Sequence, residues 1–501
     1  MASHSTTVKL NASSRALGVP ELFALVCSFL SKKDGAACLC ISRHTFASIA
    51  SIVWEDVDLK SVLLLVPGMQ AIIGDTSETL DRRCAFEFPA TVDLARFQVY
   101  SPFVKAASTS VPYAITFPKD WPNASGQASL QPLLPNLRSI TINTFGWVPD
   151  PCVDWVPRFL TPGLKEFKMC SILLQKISGE YYEDAWLNLG KCIELIDAIS
   201  QTCPVIETLE MFAHEDAEED QTKYKVLYEK VAGLHSLRTL SLGGARAGKT
   251  LFQAVSRLPH LESLSLASDC SQPVPDRDSL VILSNDSFPN LRHLVLRRLH
   301  PDVITRVYDS PQLFRRLVSA EIIYDDDEYD EDEGLGLRPA YAMRCFSHGC
   351  SNLTNLSIFT KGDGGDFCVF RRFIPIFKQL PLRRLKLCYV ELNPELSYLA
   401  GEGDPEENDP EVTWEEFFAA LPYLEELIID NSFDTQDLVV LADLLLKLRY
   451  FSPCTIQASG TKHSFDVATR STTAQPIIIC CHFYLHKYVN EPAKHISELA
   501  R

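Results

Sequence analysis

Between Pro135 and Ile429 one apolar phrase keeps returning: an apolar leader, then two apolar residues that stand three and five positions after it. It reads Leu137-x2-Ile140-x-Ile142, Leu164-x2-Phe167-x-Met169, Ile206-x2-Leu209-x-Met211, Leu237-x2-Leu240-x-Leu242 and Leu261-x2-Leu264-x-Leu266. It continues through Leu291-x2-Leu294-x-Leu296, a degenerate Leu317-x2-Ala320-x-Ile322, Leu353-x2-Leu356-x-Ile358, Leu382-x2-Leu385-x-Leu387 and Leu424-x2-Leu427-x-Ile429. The leaders stand 24 to 42 residues apart. Side chains two apart share one side of a strand, so the closing pair enters a core while the residue between them points out. Many leaders follow a proline (LPNL, TPGL, LPHL, FPNL, LPYL), which suits entry from a turn.

Between phrases the period changes from two to that of a helix. Leu189/Ile193/Ile196 is one such pattern and Leu251/Ala254/Val255/Leu258 another, while Thr413-x2-Glu416 forms a capping box ahead of Trp414, Phe417, Phe418 and Leu421. Strand plus helix at this period resembles the leucine-rich repeat. The expected fold is α/β, with ten units stacked into a curved parallel βα solenoid. The resemblance implies that a protein partner lies on the concave strand face.

Ahead of the repeats the pattern is helical. Pro20 suits a first turn, and Leu22, Leu25, Val26, Phe29 and Leu30 fall on one face of the helix that follows. Lys32 and Lys33 are expected near its end, where cations favour the dipole. Asp34 is expected to cap a second short helix carrying Ala37, Leu39 and Ile41, and Ser42 a third carrying Phe46, Ile49, Ala50 and Val53 and closing at Trp54. Three short helices bury too little against one another to stand alone.

The order Val19-Pro20-Glu21-Leu22, Leu25-Val26, Phe29-Leu30, Lys33-Asp34, Leu39, Ile41-Ser42-Arg43, Phe46 and Trp54 resembles the F-box. Gly35 departs from it, since the family usually has an apolar residue after the Asp, and this weakens the second helix. The resemblance implies docking on the Skp-type adaptor of a cullin–RING ubiquitin ligase. It assigns Pro20, Leu22, Leu25, Val26, Leu30, Leu39, Ser42, Phe46 and Trp54 either to the adaptor-facing surface or to holding the motif together. Without it, the same helices read as a cap over the open end of a solenoid.

These patterns divide the chain into a loose Ser/Thr-rich tail over residues 1–14, the F-box over 15–60, and a connector over 61–132. The repeats follow over 133–453 with acidic loop insertions, and a C-terminal capping segment over 454–501. In the connector, Ser61–Met69 reads as a buried segment or strand, and Pro118–Pro132 as a loop. Arg96-Phe97, Tyr100, Pro102 and Val104 resemble a segment that follows the F-box in many fungal F-box proteins, and also fit a plain packing helix.

Composition narrows the function. Forty-seven basic against 64 acidic side chains leave a net charge of −17, which argues against a general binder of nucleic acid or anionic membrane. Sixteen scattered cysteines without disulfide-scaffold spacing, with neither a signal-like apolar stretch at the start nor a membrane-length apolar run, point to a reduced cytoplasmic or nuclear compartment.

One stretch competes with the repeat reading. Gly243-x4-Gly248-Lys249-Thr250 matches the phosphate-cradling P-loop and sits between a strand and a helix. Against it, the preceding strand alternates polar and apolar residues, where a central parallel strand is usually apolar on both faces. The acidic runs Glu215–Asp220, Asp325–Glu333 and Glu402–Glu411 fall between repeats and read as solvated loops, with docking of a basic partner as the alternative. Cys480-Cys481-His482 lacks paired metal-ligand spacing and lies in what reads as a buried last strand, Ile477–Cys481. Gly362–Asp366 reads as a flexible turn.

The expectation is therefore a non-enzymatic substrate receptor with no catalytic residue, cofactor or metal. Its partners are a Skp-type adaptor, cullin through it, and an unidentified protein target, without nucleic acid or membrane. The competing expectations are a repeat scaffold without a ligase role and a P-loop nucleotide-binding protein.

Overall fold

The structure is a computed structural model. It describes residues 19–73, 84–89, 92–109, 113–117, 132–144, 148–171, 186–214, 221–243, 249–268, 283–284, 286–297, 299, 311–325, 346, 349–361, 367–368, 373–388, 390–391, 413–433, 435–456 and 478–479. The chain divides into two compact units, Met1–Lys176 with Tyr181–Leu240 and Ser241–Arg501 with Ile177–Glu180.

The first unit opens with helices α1 (Pro20–Ser28), α2 (Lys32–Cys38) and α3 (Arg43–Val53), then strand β1 (Asp56–Asp58) and helix α4 (Leu59–Leu63). Strands β2 (Gln70–Ile73) and β3 (Cys84–Glu87), helix α5 (Ala95–Tyr100), and strands β4 (Ala106–Thr109) and β5 (Tyr113–Thr116) follow. The repeat strands come next: β6 (Ser139–Thr144), β7 (Glu166–Ser171), β8 (Trp186–Asn188) and β9 (Thr208–His214). Helix α6 (Leu189–Thr202) precedes β9, and α7 (Gln221–Ala232) follows it. Strand β10 (Thr239–Gly243) straddles the division between the units.

The second unit carries β11 (Ser263–Ala267), β12 (His293–Arg297), β13 (Ser319–Asp325), β14 (Asn355–Lys361), β15 (Phe367–Cys368), β16 (Arg384–Cys388), β17 (Val390–Glu391), β18 (Glu426–Phe433), β19 (Tyr450–Ile456) and β20 (Ile478–Ile479). Its helices are α8 (Lys249–Val255), α9 (Pro311–Phe314), α10 (Ile374–Gln379), α11 (Trp414–Ala419) and α12 (Thr435–Leu444).

The fold is α/β on parallel sheet. In the first unit the strands run β1-β4-β6-β7-β9-β10, with β8 beside β9; in the second they run β11-β12-β13-β14-β16-β18-β19-β20. The pairing is parallel and in step with the phrase: Ile140 aligns with Phe167, Leu264 with Leu294, and Leu356 with Leu385. All thirty apolar residues of the ten phrases are 2% exposed or less. At about 1.5–3 kcal/mol per fully buried large apolar side chain, these repeated positions contribute substantially to stability.

Two backbone devices hold neighbouring units in step. The residue after nine of the ten leaders offers its carbonyl to two N–H groups of the next repeat: Arg138 O accepts from Lys165 and Glu166 (2.8 and 3.0 Å), and Thr354 O from Arg383 and Arg384 (2.8 and 2.9 Å). The residue before several leaders reaches back to the preceding turn. Asn136 Nδ2 donates to Pro102 O, and Asn290 Nδ2 to Pro259 O, both at 2.7 Å; Ser236 Oγ donates to Pro204 O at 3.1 Å. These groups satisfy turn carbonyls that would otherwise lack a partner in the protein.

The strand stack extends past both ends of the ten phrases. Strands β1 and β4 precede it, with Val57 and Leu59, then Val104, Ala107 and Thr109, buried in the phrase positions. Strand β19 follows it, with Leu448 and Phe451 buried. Val, Ala, Thr and Phe take most of their phrase positions, leaving at most one leucine in each, so the sequence pattern misses them. The Ser61–Met69 stretch, expected as a buried segment or strand, continues α4 as a helical turn with Val62, Leu63, Leu65 and Val66 buried. Strands β2, β3 and β5 form a separate small sheet. The capping box is present, Thr413 accepting from the Glu416 N–H at 3.2 Å. The tail over 1–14 and the loop 118–131 lie outside the described residues, as do the acidic runs apart from Asp325.

Candidate functional site

Among the described residues, exposed large apolar side chains gather in the first three helices. Val19, Leu22, Leu25, Val26, Phe29, Leu30 and Ile41 are between 37% and 82% exposed, Phe29 the most. Leu22, Leu25, Val26 and Phe29 follow the i, i+3, i+4, i+7 spacing of one helix face, the spacing that elsewhere in the chain enters a core. On α1 only Cys27 is buried among the side chains described, and burial, with Cys38 nearby, raises its thiol pKa. A contiguous apolar helix face left in water is the usual mark of a protein-binding surface.

The helices are positioned from behind. Ser42 caps α3 as expected, its hydroxyl accepting from the Thr45 N–H at 3.1 Å. The ring of Phe46 meets Tyr100 and Phe103 edge-on at 5.6 and 6.3 Å, and Trp54 lies 4.6 Å from Tyr100. Helix α2 differs from expectation. Its cap is Ser31 instead of Asp34, accepting from the Asp34 N–H at 3.2 Å and donating to the Asp34 carboxylate at 2.7 Å. The helix therefore starts earlier, and Lys32 and Lys33 form its first turn instead of closing α1. There the dipole disfavours cations. Lys32 is compensated by β1, its ammonium donating to Asp56 O at 2.6 Å and lying 3.8 Å from the Asp56 carboxylate.

Gly35 is buried where α2 crosses α3. A Cβ there would stand 2.9 Å from Val53 Cγ2. The expected weakening of α2 thus accompanies a close approach that a larger residue would block.

The candidate residues separate into two groups. Leu22, Leu25, Val26 and Leu30 are exposed on the outer face; Phe46 and Trp54 are half-buried against the connector; Leu39 is half-buried, and Ser42 acts through its cap. Pro20 opens α1, and its side chain lies outside the described residues. Phe29 and Ile41, which the F-box carry-over leaves out, are the most exposed of the set. The available signal was the place of Phe29 on the same apolar helix face as Leu25 and Val26, and of Ile41 directly before the Ser42 cap.

At the competing stretch, β10 alternates as the repeat requires, Leu240 and Leu242 buried and Thr239 and Ser241 half-buried. Lys249 and Thr250 open the seven-residue α8, and residues 244–248 lie outside the described residues. Gly362–Asp366 and Cys480–His482 also lie outside them. Among the described residues, no three His, Cys, Asp or Glu side chains gather as a metal site, and no helix is long and apolar enough to cross a membrane.

Fold and surface together define an α/β protein of stacked parallel βα units carrying an exposed apolar helical face at one end of its sequence. Comparison with protein-family models finds no match, and comparison with curated proteins finds none either.

Proposed function

We propose that this protein is the substrate-recognition subunit of a cullin–RING (SCF-type) ubiquitin ligase. In this reading α1–α3 are an F-box docking on a Skp-type adaptor, and the βα units are leucine-rich repeats holding a protein target. The observation that carries it is the outward apolar face of Leu22, Leu25, Val26, Phe29 and Ile41, on helices whose sequence order resembles the F-box. The protein catalyses no bond change itself. It raises the effective concentration of target lysines beside the ligase's ubiquitin carrier. Free thiols on Cys27, Cys38, Cys40, Cys170 and Cys203 suit a cytoplasmic or nuclear setting.

The competing reading is a scaffold whose N-terminal helices only cap the repeats. The packing of Phe46 and Trp54 on Tyr100 supports a capping role for α3. A cap alone leaves no reason for the apolar side of α1 to face solvent.

Co-expression with a Skp-type adaptor tests the proposal. The full chain is expected to capture the adaptor, and Leu22→Asp with Leu30→Asp to abolish capture without lowering thermal stability, since both side chains are exposed. Failure of the unaltered chain to capture the adaptor, or capture undiminished in the double variant, would sink it.

A further inference from the structure

We infer that the outward face of the sheet in the second unit, around Lys386 and Phe359, is a docking site for a carboxylate-bearing segment of a partner protein. This rests on the reading that the repeats hold a protein target, and deepens it. Lys386 lies between the buried Leu385 and Leu387 of β16, so it points away from the core. Its ammonium stands 4.6 Å above the Phe359 ring of β14. The ring holds the charge in place without neutralising it.

Neighbouring cations are spoken for. Arg297 lies 3.8 Å from Glu321, Arg384 3.2 Å from Glu426, and Arg383 3.3 Å from Glu425. Lys386 has no carboxylate within ion-pair distance among the described residues, in a chain with 64 acidic and 47 basic side chains. Lys168, at the matching outward position of β7, is by contrast paired with Glu166 at 3.0 Å.

The surroundings bound the site. Ser357 and Ile428 align with Lys386 on either side, and Cys388 aligns with Phe359; all three are uncharged and part-exposed. Further out, Glu321 on β13 continues the Lys386 row, half-exposed and paired with Arg297, whereas Ile323 on β13 and Ser452 on β19 are buried. The uncharged part of the Lys386 row therefore spans β14, β16 and β18, about 10 Å at the usual strand spacing. A half-buried cation on an aromatic floor, with Ser357 and Ile428 on either side, suits an acidic side chain flanked by small polar and apolar ones. The pair would form where screening by water is reduced.

Fluorescence anisotropy of the full chain tests this with three labelled short peptides that share Ser and Leu positions and carry Glu, Gln or Lys at the others. The Glu peptide should bind at least about fivefold tighter than the Gln peptide, and the Lys peptide weakest of the three. The chain's net charge of −17 acts against this order, so bulk attraction does not produce it. Lys386→Gln and Lys386→Glu should each remove the preference, while Lys168→Gln in the first unit leaves it unchanged. Equal affinity for the Glu and Gln peptides, no binding of the Glu peptide, or a preference kept in both Lys386 variants would overturn the inference. No adaptor is present in the assay, so its failure and failure of adaptor capture are separate results.

Discussion

The indole of Trp54 lies 4.6 Å from the ring of Tyr100, tilted by 39°, and Tyr100 also meets Phe46 at 5.6 Å. One side chain of the connector therefore meets an aromatic ring at each end of α3, Phe46 in its first turn and Trp54 at its C-cap. Tyr100→Ala should destabilise α3 by about 1–3 kcal/mol, from lost ring contact and burial. Amide exchange is the check: protection should fall in α3 and stay unchanged in β11 and β12.

Gly35 is the second test of that segment. Gly35→Leu puts an apolar residue after Asp34, as the proposed F-box reading would favour, and introduces side-chain atoms where a Cβ alone would stand 2.9 Å from Val53. Overpacking of this kind typically costs about 1–3 kcal/mol, more than the ~1 kcal/mol gained by removing a helical glycine. Denaturant titration followed by far-UV circular dichroism should show the loss, and a stabilised variant would contradict the close approach of α2 and α3.

The alternation along the repeat strands predicts opposite outcomes at adjacent residues. Leu356→Ala on β14 removes a fully buried member of the column and should cost about 2–5 kcal/mol. Ser357→Ala, one position on and facing out, should stay within about 0.5 kcal/mol. Equilibrium urea denaturation of the two variants separates them directly.

Burial pushes the Cys203 thiol up to about 11, above the ordinary cysteine range, offset in part by a backbone hydrogen bond. The folded state therefore holds this proton more tightly than the unfolded chain. The corresponding stability is intact below pH ~9 and is lost as pH rises toward ~11, on the order of 2–3 kcal/mol at most. Melting temperature measured between these limits should fall more steeply for the natural chain than for Cys203→Ala. Alkylation at neutral pH should reach the exposed Cys40 well before Cys203.

The repeat phrase, by itself, determined where ten strands lie and which three residues of each are buried. A period of two allows only one assignment of inward and outward positions once a core exists. A polar residue ahead of a helical pattern placed the caps at Ser42 and Thr413, because capping depends on local backbone geometry, but at α2 it pointed to Asp34 where Ser31 is the cap. Tertiary structure decided what local pattern leaves open. Val57, Ala107 and Thr109 join the strand stack only because a neighbouring strand supplies hydrogen bonds, and their side chains carry no leucine signal. The apolar residues of α1 and α3 share the same helical spacing, yet Leu25 faces water while Phe46 packs on Tyr100 and Phe103. Periodicity marks a face as apolar but cannot say whether the chain covers it. The open face of α1, and the lack of a carboxylate beside Lys386 among the described residues, became visible only when the surrounding side chains were in place.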